Sequence, residues 1–161
     1  MEMPMTSPTR SRTWAYEDLG EGVVVDLGTK IVRADEIIEF ATEFDAQPFH
    51  LDEEAGKASI LGGLAASGWH TCAMFMRMLC DALLLDSTAQ GAPGIDYAKW
   101  KRPVLAGDTL GGKLTILSSR LSRSKPGLGF VTWRADLVNQ KGETVFELVN
   151  TCMFLTREAA Q

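Results

Sequence analysis

From Leu64 to Leu85 the chain is apolar nearly all round, and whatever fold it takes has to cover that segment. At ~1.5 Å of rise per residue, a helix of this length would be long enough to cross a bilayer. Arg77 and Asp81 argue against that. They stand at the i,i+4 spacing of a helical pair and leave an uncharged run shorter than the ~20 residues a span requires. No membrane association is expected, and the segment reads as a helix buried on most sides by the rest of the chain. Gly62, Gly63, Ala65, Ala66 and Gly68 cluster at its beginning, where other backbone or a ligand could approach closely.

The material available to cover this helix has strand character. Val23 to Lys30, Gly94 to Val104, Thr109 to Leu121, Phe130 to Val138 and Thr144 to Phe154 are rich in β-branched and aromatic residues. Alternation such as Leu110, Gly112, Leu114, Ile116 and Val131, Trp133, Ala135, Leu137 places one face of each strand inward. Lys125-Pro126-Gly127 and Asn139-Gln140-Lys141-Gly142 fit hairpin turns, so these strands should pair antiparallel. The order is strand, short helices, long helix, four strands: an α+β domain with about five strands in one sheet. Such a sheet leaves unpaired edges, which predicts a homodimer or a dimer-based oligomer.

With 161 residues and 45% hydrophobic content, the chain can build one well-buried core and is short for two. Residues 1–13, with Pro4, Pro8, Arg10 and Arg12 and no apolar run, read as a disordered leader, and 14–157 as the domain. A net charge of -5 opposes a role on nucleic acid, which calls for a dense cationic face. Cys72, Cys80 and Cys152 form an odd set without metal-ligand spacing; they read as reduced thiols of a cytoplasmic protein, and no metal site is expected.

Ile37, Phe40, Ala41 and Phe44 fall at helical spacing behind Asp35 and Glu36, so a helix ends at Asp45. The carbonyl end of a helix is a poor place for a carboxylate unless a donor lies close. His50 is the donor within reach, beyond Pro48, which stiffens the connection. Asp and His are the residue types most used for proton transfer near neutral pH, although Asp followed by Ala-Gln-Pro is also ordinary loop chemistry.

The run from Asp45 to His50, followed by Leu51-Asp52-Glu53-Glu54-Ala55 and Gly62-Gly63-Leu64-Ala65-Ala66-Ser67-Gly68, resembles the MaoC-like dehydratases. The best-known members of that family are (R)-specific enoyl-CoA hydratases. Tyr16-Glu17-Asp18-Leu19, Lys101-Arg102-Pro103-Val104 and Gly107-Asp108 extend the likeness over most of the chain, from about Tyr16 to Phe154. The family motif usually reads Gly-Asp-x-Asn-Pro-aliphatic-His. Here Phe44 replaces the Gly, Gln47 the Asn and Phe49 the aliphatic residue, and Gly62 stands where the family commonly has His.

The resemblance implies a hot-dog fold, a long central helix wrapped by a curved antiparallel sheet. It also implies a lyase that hydrates trans-2-enoyl thioesters or dehydrates (R)-3-hydroxyacyl thioesters of coenzyme A or acyl carrier protein. No cofactor beyond the thioester substrate is implied. Asp45 and His50 would be the acid-base pair, and backbone N–H groups of Gly63 and Leu64 the donors to the enolate oxygen, with a simple chain break before the helix the alternative for the paired glycines. Gln47, Phe49, Ser67 and Trp69 are candidates for the substrate pocket, with core packing the alternative for the last two. Lys99, Lys101 and Arg102, with Arg123 and Lys125 near a hairpin turn, are candidates for the phosphates of coenzyme A by charge. A hot-dog thioesterase and a non-catalytic thioester-binding subunit remain open. Against the former, Leu64 to Met76 carries no Asp or Glu, where many such thioesterases place theirs. Phe49 leads to an expectation of short to medium acyl chains.

Overall fold

Strand β1 (Val24–Ile31) leads into helix α1 (Ala34–Phe44), two short helices α2 (Pro48–Leu51) and α3 (Glu53–Ala58), and the main helix α4 (Gly68–Ala82). Strands β2 (Gly94–Trp100), β3 (Thr109–Leu121), β4 (Leu128–Val138) and β5 (Thr144–Leu155) complete the chain. This computed structural model describes residues 13–161. The expected leader lies outside the described residues except for Thr13. The hydroxyl of Thr13 donates to Asp86 (3.2 Å), and its carbonyl accepts from Arg157 (3.1 Å).

The five strands form one antiparallel sheet in the order β1-β3-β4-β5-β2, so β1 and β2 are its edges. Both hairpins turn where the sequence signals stand. Gly127 and Gly142 take φ of 80° and 76°, a region in which a side chain would be strained. The alternation of β4 is realised with Val131, Trp133, Ala135 and Leu137 all buried, beside Phe146, Leu148, Cys152 and Phe154 of β5. Against this face lies α4, which buries Thr71, Met74, Phe75, Met78 and Leu79 at i, i+3, i+4, i+7 and i+8. Phe75 meets Phe146 with ring centroids 5.8 Å apart. The result is α+β, a central helix on one antiparallel sheet, the arrangement of the hot-dog fold. No helix among the described residues is long and apolar enough to cross a membrane.

The apolar segment is not helical from its start. Residues 62–67 run as a loop, and α4 begins only at Gly68, where the Ser67 hydroxyl accepts from the Trp69 N–H (3.3 Å) as an N-cap. Upstream of the cap the backbone bonds sideways: Ala65 N–H to Phe49 (3.2 Å), Ala66 N–H to Val104 (2.8 Å), and Leu64 carbonyl from Ala106 (3.0 Å). These bonds stitch the loop to α2 and to the segment after β2, so Gly63 and Leu64 precede the helix by several residues. Strand β2 likewise stops at Trp100, since Lys101 and Arg102 both turn their N–H groups to the Val145 carbonyl.

Candidate active site

Helix α1 ends at Phe44 and Asp45 caps it, its N–H bonded to Ala41 (2.9 Å). Pro48 then opens α2 at the one helical position where a missing N–H costs nothing, and α2 carries His50 in its single turn. The two side chains converge. His50 Nε2 lies 3.5 Å from Asp45 Oδ2, with His50 6% exposed.

Each member is fixed from its other side. His50 Nδ1 lies 2.6 Å from the Ala65 carbonyl oxygen, which can only accept, so Nδ1 carries hydrogen. In the neutral ring Nε2 is then a bare lone pair aimed at Asp45. Ser67 Oγ donates to Asp45 Oδ2 (2.7 Å), and Gln47 Nε2 donates to Oδ1 (2.8 Å). The Ser67 hydroxyl, the Gln47 amide and, to a lesser degree, the nearby His50 hold the Asp45 carboxyl below the usual carboxylate range against the opposing effect of burial. The donor that a carboxylate at a helix end requires is therefore not His50, as the sequence suggested, but Ser67 and Gln47.

The pair opens on a cavity of about 670 Å³, lined mainly by apolar groups including Phe49, Ile60, Ala66, Trp69, Trp100 and Val104. Of the other sequence candidates, Gln47, Lys101 and Arg102 also reach this wall. Ser67 does not; it is fully buried beneath Asp45 and at once caps α4 and binds the carboxylate. Lys99 is elsewhere, 4.7 Å above the ring of Tyr97. Lys101 and Arg102 are each met by a carboxylate of the β4–β5 side, Glu147 at 3.1 Å and Glu143 at 3.2 Å, which offsets their charge at the cavity mouth.

Gly63 and Leu64 lie beside the site without lining the cavity, and among the described residues neither N–H donates a hydrogen bond. Their peptide is pressed by α3, since a Cβ on Gly56 would stand 2.2 Å from the Gly63 oxygen. At the helix N-terminus proper the Gly68 N–H is left open among the described residues, while that of Trp69 is taken by the Ser67 cap. Trp100 escaped the sequence reading. Its indole N–H donates to the Gly68 carbonyl (2.8 Å) and its ring meets Trp69 edge-on at 5.7 Å. The signal available in sequence was the glycine after the Ser67 cap, because a Cβ there would lie 2.6 Å from the Trp100 ring.

Comparison with known proteins bears on the family and the fold. Residues 15–134 match the MaoC like domain. The chain is similar to the crystal structure of the MaoC-like dehydratase from Rhodospirillum rubrum, at 40% identity and a TM-score of 0.81, covering 89% of this chain and 97% of that one. It is also similar to the uncharacterized protein YdeM of Bacillus subtilis, 29% identical over 116 residues, 72% of this chain and 81% of that protein. The fold is shared with the (R)-hydratase PhaJ1 of Pseudomonas aeruginosa, at 23% identity and a TM-score of 0.73 over 90% of this chain and 88% of that one. With the family domain spanning most of its length and the fold matching over 89% of it, the chain belongs to the MaoC-like dehydratase family.

Proposed function

We propose that the protein is a hydro-lyase that adds water to trans-2-enoyl thioesters, and removes it from (R)-3-hydroxyacyl thioesters, with Asp45 and His50 holding the water. The observation that carries this reading is the facing of Asp45 Oδ2 and His50 Nε2 across 3.5 Å at the edge of an apolar cavity. Two acceptors at that separation do not bond each other while the ring is neutral, but a single water can donate one hydrogen to each.

In hydration, the water oxygen forms its bond to Cβ while one O–H bond breaks and that proton passes to His50 Nε2. The electron pair of the Cα=Cβ bond moves toward the thioester carbonyl, whose oxygen gains enolate character. Nε2 then returns the proton to Cα on the same face, and dehydration runs the steps in reverse. The enolate oxygen requires donors, for which the free N–H groups of Gly63 and Leu64 remain the candidates.

The assembly belongs to the same proposal. Trp69, Ala73 and Met76 stand exposed on one stripe of α4, next to Ile95 and Trp100 of the unpaired edge β2. An apolar face along an open sheet edge suits a second copy, joined through antiparallel β2 edges across a two-fold axis.

The test is crotonyl-CoA with purified protein, following loss of the enoyl-thioester absorbance and the configuration of the product. Turnover to the (R)-3-hydroxyacyl thioester is expected, falling about 10²–10⁴-fold in Asp45→Asn and in His50→Ala. Release of free coenzyme A, or a rate indifferent to both substitutions, would overturn the reading.

A further inference from the structure

The chain has no carboxylate between Asp108 and Asp136, yet this stretch carries Lys113, Arg120, Arg123, Lys125 and Arg134, in a protein of net charge -5. Among the described residues, many of the other cations are met within the chain, as Lys30 is by Glu36 and Arg77 by Asp81, and Lys99, Lys113 and Lys141, which are not, stand on separate elements. Arg120, Arg123 and Lys125 meet no carboxylate among the described residues, although they crowd one hairpin and repel one another there.

The hairpin is shaped as well as charged. Arg120, Ser122, Arg123, Ser124 and Phe130 surround a second cavity of about 490 Å³. The Arg120 guanidinium lies 4.5 Å above the Phe130 ring, a contact that holds it at the cavity wall. Ser122 Oγ accepts from the N–H groups of Ser124 (3.3 Å) and Lys125 (3.1 Å), which pins the turn and leaves the hydroxyl hydrogen to donate outward.

We propose that this hairpin is a phosphate-binding site, in which Arg120 and Arg123 grip a phosphate ester with help from the Ser122 and Ser124 hydroxyls. Two guanidiniums and two hydroxyls without a carboxylate match the three oxygens and the charge of a phosphate.

Its position identifies the ligand. Arg120 pairs with Phe130 and Phe130 with Met153, whereas Trp100 at the first cavity pairs with Phe146. Along β5 the separation from Phe146 to Met153 is roughly 23 Å at ~3.3 Å per residue. Within one chain the hairpin is thus at the far end of the sheet from Asp45 and His50. Antiparallel pairing of two β2 edges reverses the strand direction, so the second copy's hairpin arrives at the end where this chain's cavity opens. The phosphate is then that of the thioester's own carrier, the nucleotide end of coenzyme A. This last assignment rests on the hydratase reading and on the proposed β2 pairing; the phosphate site rests on neither.

The experiment has two arms on the full chain, comparing wild type with Arg120→Ala/Arg123→Ala, two exposed positions whose loss spares the core. Adenosine 3′,5′-bisphosphate titrated into ¹⁵N-labelled protein is expected to shift amides of residues 120–130, and the double variant to bind at least tenfold more weakly. Shifts confined to other residues, or undiminished binding in the variant, overturn the site. In the second arm the KM for crotonyl-CoA should rise about tenfold in the variant, while that for crotonyl-pantetheine, which has no phosphate, stays unchanged. Equal KM changes for both would refute the carrier assignment while the titration upholds the site. Absence of turnover with either thioester would count against the hydratase reading, and the titration would still decide the hairpin.

Discussion

Ser67 connects the start of the main helix to the candidate acid. Its hydroxyl caps α4 and binds Asp45, and it is the first cause of the lowered Asp45 carboxyl. A carboxylate depressed in the folded state adds stability that is fully present above its unfolded pKa, about 3.9, and is lost as the pH falls through the folded value. Ser67→Ala is therefore expected to destabilise most above about pH 4, with the deficit narrowing in acid toward the loss of the cap, ~1 kcal/mol. Urea melts of both proteins from neutral pH into acid check this, and a deficit independent of pH would contradict it. Phe49 sets a second expectation. Its ring meets the His50 ring edge-on at 4.6 Å and lines the cavity, so Phe49→Ala should favour longer acyl chains, raising the ratio of octenoyl to crotonyl kcat/KM about tenfold. A competition assay with the two thioesters measures it.

At the scale of elements, the site is the meeting of a helix end, a helix start and a strand end. Helix α1 supplies Asp45, α2 supplies His50, and the loop before α4 holds both through Ala65 and Ser67. Trp100, the last residue of β2, locks this loop by donating to the Gly68 carbonyl. Gly68→Ala places a methyl 2.6 Å from the indole, a contact that only displacement of Trp100 relieves. The expected cost is about 1–3 kcal/mol of stability, with a change in tryptophan fluorescence and a fall in turnover. Chemical melts followed by fluorescence would show it. A variant as stable and as active as wild type would mean that the Trp100 contact is dispensable.

At the scale of the whole molecule, β2 and a stripe of α4 are without cover among the described residues. The expected state in solution is a pair of chains, and Met76→Glu, which puts a charge on the exposed stripe, should shift it toward single chains. Sedimentation equilibrium over a range of concentrations distinguishes the two. A monomeric wild type would remove the dimer, and with it the route by which a second copy's hairpin reaches the cavity.

How much of this was legible beforehand follows from the range of each interaction. Alternation in β4, the spacing of Thr71, Met74, Phe75, Met78 and Leu79, and the hairpin glycines are local patterns, and the α+β architecture can be read from them directly. The approach of Asp45 and His50 is also local, because Pro48 starts a helix between them. Other features depend on residues remote in sequence and leave no periodic trace. Helix α4 starts at Gly68 rather than Leu64 because Phe49 and Val104 draw the Ala65 and Ala66 N–H groups sideways. Asp45 is satisfied by Ser67, 22 residues away, and Trp100 closes the same loop from 32 residues away. The sequence by itself determined the elements and the chemical pair, since both rest on neighbours along the chain. Only the tertiary structure decided where the main helix begins, which hydroxyl holds the carboxylate and which cations face the cavity, since each depends on hydrogen bonds and charges brought together by folding.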